Sequence, residues 1–318
     1  VERHVEVEKR TDALRDYAET ADFNTVEDNG AKIGVIAAGI AYQYAREALG
    51  EKVNYCKLGM VWPLPTTLLS DFCAKCDTVY VIEELDPFIE EHCRAMGLAV
   101  IGKEKFSLLG EYTPNVIRAV VLGESAPACI LPQENLPARP PVLCPGCPHR
   151  GTFYVLQKLG LTVSGDIGCY TLGAVAPLAS VDTTICMGAS IGNAAGMRKA
   201  GLKGRICAVL GDSTFFHSGI TGILSALYNG TPVTTVVLDN RITAMTGHQD
   251  NPGTGKTLAG DPAPVTEIGD IAKACGYKNV VKVSADDLSG LEKTLSTAMD
   301  SGEPWLVIAY APCRIAAK

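Results

Sequence analysis

Short apolar runs alternate with amphipathic stretches along most of the chain, and from Ala31 to Leu122 the rhythm is that of strands followed by helices. Lys32–Ala38 (KIGVIAA) is a continuous apolar run of strand length and predicts a buried strand. Gly39 turns the chain, and Ala41–Leu49 predicts a helix stopped by Gly50. Val53–Leu58 predicts the next strand, and Pro65 opens a helix reaching about Cys76, because proline suits a first helical turn. Thr78–Glu83 (TVYVIE) predicts a third strand, and Pro87 starts a helix ending before Gly97. Together these make a parallel α/β unit. The residues before Ala31 are charged and helical in tone, a lead-in rather than a core.

Between Gly123 and Arg150 the rhythm stops. Pro127, Pro132, Pro137, Pro140, Pro141, Pro145 and Pro148 crowd into this stretch, at a density that excludes helix or central strand, so residues 127–143 read as a linker. Beyond it the alternation resumes. Strands are predicted at Leu161–Gly165, Arg205–Gly211, Pro232–Asn240, Val280–Val283 and Trp305–Tyr310, with helices at Gly151–Leu159, Gly188–Ala200, Ser218–Asn229, Glu267–Cys275 and Ala285–Asp300. Residues 144–318 are therefore expected to form a second parallel α/β domain.

Composition narrows the function classes. A chain of 318 residues with 47% hydrophobic and 20% charged residues suits two domains with real cores and excludes global disorder. No apolar run approaches bilayer length. Basic residues number 28 against 35 acidic, net −7, with no basic run, so nucleic acid is not an expected partner. The chain starts Val1-Glu2-Arg3-His4 with no signal-peptide composition, which reads as an internal piece of a longer cytoplasmic protein. Twelve cysteines in that setting point to buried thiols or metal ligands rather than disulfides.

The sharpest chemical signal is Arg205–Asn240. The strand RICAVLGD ends at Asp212 and the strand TTVVLDN at Asn240, so adjacent parallel strands would bring both to neighbouring carboxyl ends, where open α/β sheets bind ligands. A carboxylate, an amide carbonyl and a backbone carbonyl near Ile242 suit Mg²⁺, which takes oxygen ligands and completes its shell with phosphate. The helix after Ser213 would aim its N-terminal amides at a diphosphate. A turn-forming Asp and Asn closing two strands is the plainer alternative. Four of the cysteines, Cys144, Cys147, Cys169 and Cys313, fall on loops at one side of a sheet, where four thiolates can hold a [4Fe–4S] cluster, a structural zinc, or nothing. Cys73 and Cys76 read as a packed helix face, and Cys186, Cys207 and Cys275 as core. Gly188, Gly192 and Gly196 share a helix face, with close backbone packing expected at Gly196. His217 and His248 flank the expected site, and His149 either contacts a cofactor or caps the helix that follows. The glycine-rich loop Thr243–Gly260 contains Gly253-Thr-Gly-Lys256-Thr257, but Asp250 stands where a phosphate loop needs its first glycine. A mobile loop at a substrate mouth is the better reading.

Gly211-Asp212-Ser213 with Asn240 resembles the diphosphate–metal motif of thiamine diphosphate enzymes. GDSTFFHSGITG (Gly211–Gly222), LDNRITAMTGHQ (Leu238–Gln249), CPGCPHRG (Cys144–Gly151), GDIGCYTLG (Gly165–Gly173) and CMGASIG (Cys186–Gly192) are more particular. Together they resemble the alpha subunits of indolepyruvate:ferredoxin oxidoreductase, within the 2-oxoacid:ferredoxin oxidoreductase superfamily. The third motif position is Ser213 rather than Gly, as in the indolepyruvate branch. The resemblance implies two α/β domains, a transketolase-C-terminal-like one (residues 1–126) and a thiamine diphosphate-binding one (residues 144–318). It implies cofactor contacts from Gly188, Ala189, Ser190, Gly211, Asp212, Ser213, Asn240, Ile242, Thr243 and His149. Asp212, Asn240 and Ile242 would hold Mg²⁺, and Cys144, Cys147, Cys169 and Cys313 a [4Fe–4S] cluster. The implied reaction is oxidative decarboxylation of an arylpyruvate to an aryl-acetyl-CoA, with a beta subunit, ferredoxin and coenzyme A as partners in an oligomer. The ylide-activating glutamate of such enzymes is expected outside this chain, which alone would be inactive. A non-redox thiamine diphosphate decarboxylase, which needs no cluster, and a zinc-stapled module, which needs no metal at Asp212, are the alternatives.

Overall fold

The apolar runs become two mixed α/β units, Val1–Asn135 and Leu136–Lys318, in a computed structural model that describes residues 1–124 and 137–316. Of the expected linker, residues 127–136 lie outside the described residues, and residues 137–143 carry neither helix nor strand.

In the first unit the elements run α1 (Glu2–Thr20), β1 (Thr25–Glu27), β2 (Ile33–Ala38), α2 (Gly39–Leu49), β3 (Asn54–Leu58), α3 (Thr66–Ala74), β4 (Thr78–Ile82), α4 (Phe88–Ala95) and α5 (Pro114–Leu122). The sheet order is β1-β3-β2-β4. β2 pairs in parallel with β3 and β4, as the sequence predicts. The expectation of a purely parallel sheet needs one correction, because β1 adds antiparallel to the edge with Thr25 opposite Lys57. Three residues are too few to show a period. Alternate strand residues supply two cores: Val35, Ala37 and Tyr55 pack with α2 and α5, while Ile36, Cys56 and Val81 pack with α3 and α4. α1 buries only Ala18, as a polar lead-in should.

The second unit holds α6 (His149–Lys158), β5 (Thr162–Gly165), a 3₁₀ segment (Cys169–Ala174), β6 (Thr183–Thr184), α7 (Ala189–Lys199), β7 (Ile206–Gly211), α8 (Asp212–Thr214), a π turn (Phe215–Gly219) and α9 (Ile220–Tyr228). It continues with β8 (Thr234–Asp239), α10 (Ile268–Ala274), β9 (Asn279–Ser284), α11 (Leu288–Ser301) and β10 (Trp305–Tyr310). The strands form one parallel sheet, order β6-β5-β7-β8-β10-β9. Every residue of β7 and β8 is buried, which is why both read as unbroken apolar runs. Along β7, Cys207 and Val209 enter the core with Phe153, Leu291 and Leu295. Ile206, Ala208 and Leu210 enter the opposite core with Ile191, Ile223 and Ala272. β7 and β8 sit inside the sheet as neighbours, with Gly211 opposite Leu238, so the chain leaves both strands at one edge of the sheet. No helix among the described residues is long and apolar enough to cross a membrane.

Candidate functional site

Asp212 and Asn240 follow the neighbouring ends of β7 and β8, and both line a cavity of about 90 Å³. Gly211, Ser213, Ile242, Thr243 and His149 line it too. Asp212 is buried; its Oδ1 accepts from the Ser213 amide (2.8 Å) and its Oδ2 from Asn251 Nδ2 (3.1 Å). These partners are neutral donors. Burial pushes the Asp212 carboxyl up to about 6, opposed by the two hydrogen bonds and reinforced by the charge of Asp239. A buried carboxylate with only neutral donors leaves a negative charge that a cation would stabilise.

Asn240 is fixed from three sides. Its Nδ2 lies 3.3 Å from His149 Nε2, its Oδ1 accepts from the Ile242 amide (3.3 Å), and its backbone carbonyl accepts from the Cys313 amide (3.1 Å). Burial pushes the His149 imidazole down to about 4, so the ring is neutral at physiological pH and Nε2 accepts from Asn240. His149 begins α6, and its position between cofactor contact and helix start, open in the sequence, resolves into both the helix start and the cavity wall.

Tyr170 is a wall residue to which sequence reasoning assigned no role. Its hydroxyl donates to the Ile167 carbonyl (2.9 Å) and lies 3.1 Å from Thr214 Oγ1. Its ring lies so close to β7 that a Cβ on Gly211 would stand 2.7 Å from Tyr170 Cε1. The glycine before Asp212 is thus required by an aromatic neighbour.

Gly188, Ala189 and Ser190 are not in the lining. The Gly188 and Ser190 amides at the start of α7 donate to the buried Asp166 carboxylate (3.0 and 2.7 Å), as does Ser190 Oγ (2.9 Å). The positive end of α7 is therefore taken by a protein carboxylate. Asp166 lies inside the GDIGC stretch; its one sequence signal was an acidic residue at a strand end, which periodicity does not distinguish from a turn.

A second cavity, of about 220 Å³, is lined by Cys144, Cys147, Cys169 and Cys313 together with His149, His248 and Asn240. Burial pushes the Cys147 and Cys169 thiols up, and the neighbouring thiols of the set add to it. The four cysteines surround a space and do not close on a point: among the described residues no three His, Cys, Asp or Glu side chains converge as a single ion requires. His149, Cys169, Asn240, Ala244 and Met245 line both cavities, so one wall serves two chambers.

Other expectations divide. Cys207 is buried and Cys275 half-buried, whereas Cys186 is exposed and not in a core: its apolar run is the loop between the two-residue β6 and α7. Cys73 and Cys76 pack against the first unit's core. His217 is exposed and lines neither cavity, while His248 lines the thiol chamber. Close packing at Gly196 is absent, since a Cβ there would meet nothing within 4 Å. Within the loop Thr243–Gly260, Thr243 and Gln249 exchange backbone hydrogen bonds, and the Thr257 amide donates to the Asp261 carbonyl. Asn251 of this loop, not singled out in the sequence, reaches Asp212.

Residues 166–309 match the family "Thiamine pyrophosphate enzyme, C-terminal TPP binding domain". The chain is 39% identical over 331 aligned positions to "Indolepyruvate oxidoreductase subunit IorA" of Archaeoglobus fulgidus, covering 96% of this chain and 53% of that protein. The protein of the same name from Pyrococcus horikoshii is 37% identical over 340 positions, covering 95% and 52%. The chain thus spans about half the length of the curated relatives it matches. Among solved structures, "2-oxoglutarate:ferredoxin oxidoreductase from Magnetococcus marinus with 2-oxoglutarate, coenzyme A and succinyl-CoA bound" is 20% identical, with a TM-score of 0.48 over 55% of this chain and 65% of that one. Residues 166–309 are thus similar to the cofactor-binding domain of thiamine pyrophosphate enzymes, and nearly the whole chain is similar to about half of the IorA subunits of indolepyruvate oxidoreductase.

Proposed function

We propose that this chain is the cofactor-holding part of a thiamine diphosphate-dependent 2-oxoacid:ferredoxin oxidoreductase that converts arylpyruvates, indolepyruvate among them, to aryl-acetyl-CoA. The observation that carries the reading is the pair of chambers sharing one wall: oxygen donors around one, four thiols around the other.

The oxygen chamber fits a diphosphate-bound Mg²⁺. Asp212 brings a buried carboxylate, Asn240 an amide oxygen and Ile242 a backbone carbonyl, all hard donors. Asp212 and Asn240 would hold the metal, and the Ser213 and Thr243 segments would flank the diphosphate. Bound there, thiamine diphosphate would supply the electron sink that lets a 2-oxoacid lose carbon dioxide. Tyr170 forms the wall of the chamber beside Gly211. His149 stays neutral beside Asn240 and so adds no positive charge to compete with the metal. The thiol chamber is lined by four cysteines, the number of thiolates that a [4Fe–4S] cluster takes. Cys144, Cys147, Cys169 and Cys313 would hold a [4Fe–4S] cluster, which would supply the one-electron acceptor that a ferredoxin-linked reaction needs. This arrangement favours the redox reading over a non-redox decarboxylase or a zinc-stapled module. A beta subunit, ferredoxin and coenzyme A complete the proposal, and the relatives' name supplies indolepyruvate.

Calorimetric titration with thiamine diphosphate and Mg²⁺, on the full protein and its partner subunit prepared without oxygen and assayed for iron and acid-labile sulfide, tests this. Cofactor binding with cluster iron on this chain's thiols supports it. Binding with no iron leaves a non-redox enzyme, and zinc with no cofactor binding leaves the stapled module.

A further inference from the structure

The two side chains read as metal donors each have one side-chain partner: His149 for Asn240 and Asn251 for Asp212. Asn251 has had no part in the proposed chemistry. It is buried, 39 positions from Asp212 in the chain, and its Nδ2 donates to Asp212 Oδ2 at 3.1 Å. The rest of the residue is fixed. Its Oδ1 accepts from the Gly253 amide (2.9 Å), and its carbonyl accepts from the Thr254 amide (2.9 Å) and Oγ1 (2.8 Å).

The turn so formed is bolted in place. Arg241 donates to the Gly253 carbonyl (2.7 Å), and the Thr266 amide donates to the Pro252 carbonyl (2.9 Å). Arg241 in turn pairs with Asp239 (3.2 Å) and Glu267 (3.0 Å). Held this way, the Asn251 amide has one direction to point. Asp212 then has Oδ1 fixed by the Ser213 amide and Oδ2 by Asn251, and each oxygen keeps a further acceptor position for a cation.

We propose that Asn251 is the positioning residue of the divalent cation site: it locks the Asp212 carboxylate in its metal-receiving orientation and makes the segment Arg241–Thr254 part of that site. The inference rests on the reading of Asp212 as a metal donor. Outer partners that orient a ligating carboxylate are worth about 10–100-fold in metal affinity. Because Asn251 belongs to the loop, cation binding also tightens the loop.

The test is titration of Mn²⁺, an oxygen-seeking stand-in for Mg²⁺, into the full protein with its partner subunit at saturating thiamine diphosphate, following free Mn²⁺ by electron paramagnetic resonance. Wild type is compared with Asn251→Ala, Asn251→Ser and Asp212→Ala. Serine keeps an oxygen that can accept from the Gly253 amide but is too short to reach Asp212. It therefore separates holding the turn from holding the carboxylate, and it stands in if the alanine variant does not fold. Both Asn251 variants are expected to weaken Mn²⁺ about 10–100-fold. Mn²⁺ should also slow tryptic cleavage at the exposed Lys256 in wild type but not in Asn251→Ser. An Asn251→Ser protein within about twofold of wild type overturns the inference, whatever alanine does. If Asp212→Ala also binds Mn²⁺ as wild type does, the metal reading itself falls first.

Discussion

The two chambers share a wall but are built on different principles. The oxygen chamber hangs from the ends of β7 and β8, and each of its charged or amide groups has partners among the described residues: Ser213 and Asn251 for Asp212, His149 and Ile242 for Asn240. The thiol chamber is made of connecting segments: the stretch before α6, the 3₁₀ turn at Cys169 and the residues after β10. Its Cys147 and Cys169 are pushed toward the neutral thiol by burial. Backbone that a sheet has already ordered can present a hard-ion site before the ion arrives, whereas thiols on loops gain their final arrangement from the group they hold. The second chamber should therefore depend on its ligand for the order of its donors, whereas in the first the strand-end donors Asp212 and Asn240 should be ordered already, with only the Asn251 loop left to tighten.

The strongest way to break this contrast is to remove one donor from each side. Cys313→Ser lies in the thiol chamber alone and should abolish cluster iron, read by iron and sulfide analysis, while thiamine diphosphate affinity stays within about threefold. Asp212→Ala should do the reverse, lowering cofactor affinity at least about 100-fold by calorimetry with iron content unchanged. Cys169→Ser, in the shared wall, should disturb both. If Cys313→Ser also costs the cofactor, the chambers are one site.

Protonation sharpens the comparison further. Asp212, raised to about 6, holds a proton in the folded cofactor-free chain where the unfolded chain has released it, so its contribution to stability is lost as pH rises from about 4 to about 6. His149, lowered to about 4, works the other way: the unfolded chain binds a proton that the folded chain refuses, so stability is lost as pH falls from about 6.5 to about 4. The two slopes oppose each other in one chamber. Replacing Asp212 with Asn should make the stability difference between variant and wild type grow in the variant's favour by roughly 2 kcal/mol between pH 4 and 6. Denaturant midpoints across that range would check it, and a pH-independent difference would mean Asp212 is ionised throughout. The smallest expected effect is Gly196→Ala on α7. With nothing within 4 Å of the new methyl, it should stabilise the second unit by about 0.5–1 kcal/mol in the same assay and alter neither chamber.

The legible parts of this molecule are those that periodicity and end signals encode. The runs ICAVLG and TTVVLD could be placed as buried neighbours, and with them the approach of Asp212 to Asn240. α5 was missed although its signals are present: Thr113 Oγ1 accepts from the Val116 amide, Pro114 opens the helix and Gly123 closes it in the left-handed region. What could not be read is who satisfies whom. Asp166 filling the start of α7, Asn251 reaching Asp212 and His149 pairing with Asn240 join segments 24, 39 and 91 positions apart, and no local pattern records such distances. The exposure of Cys186 was illegible for the opposite reason, because an apolar neighbourhood in sequence was a loop in space.

The π turn Phe215–Gly219 has a consequence for how this chain can change length. A π turn spends one residue more per turn than an α-helix, so side chains before it are rotated by roughly 100° relative to a regular helix running into α9. Asp212 faces its chamber while Ile223 and Ala226 face the core because of that extra residue. Deleting one position between Phe215 and Gly219 would leave a well-formed helix whose carboxylate points elsewhere. The segment is thus a fixed-length spacer, and its ends are fixed in type as well: Phe215 is buried in the core, and a Cβ on Gly219 would stand 2.7 Å from Leu210 Cδ1.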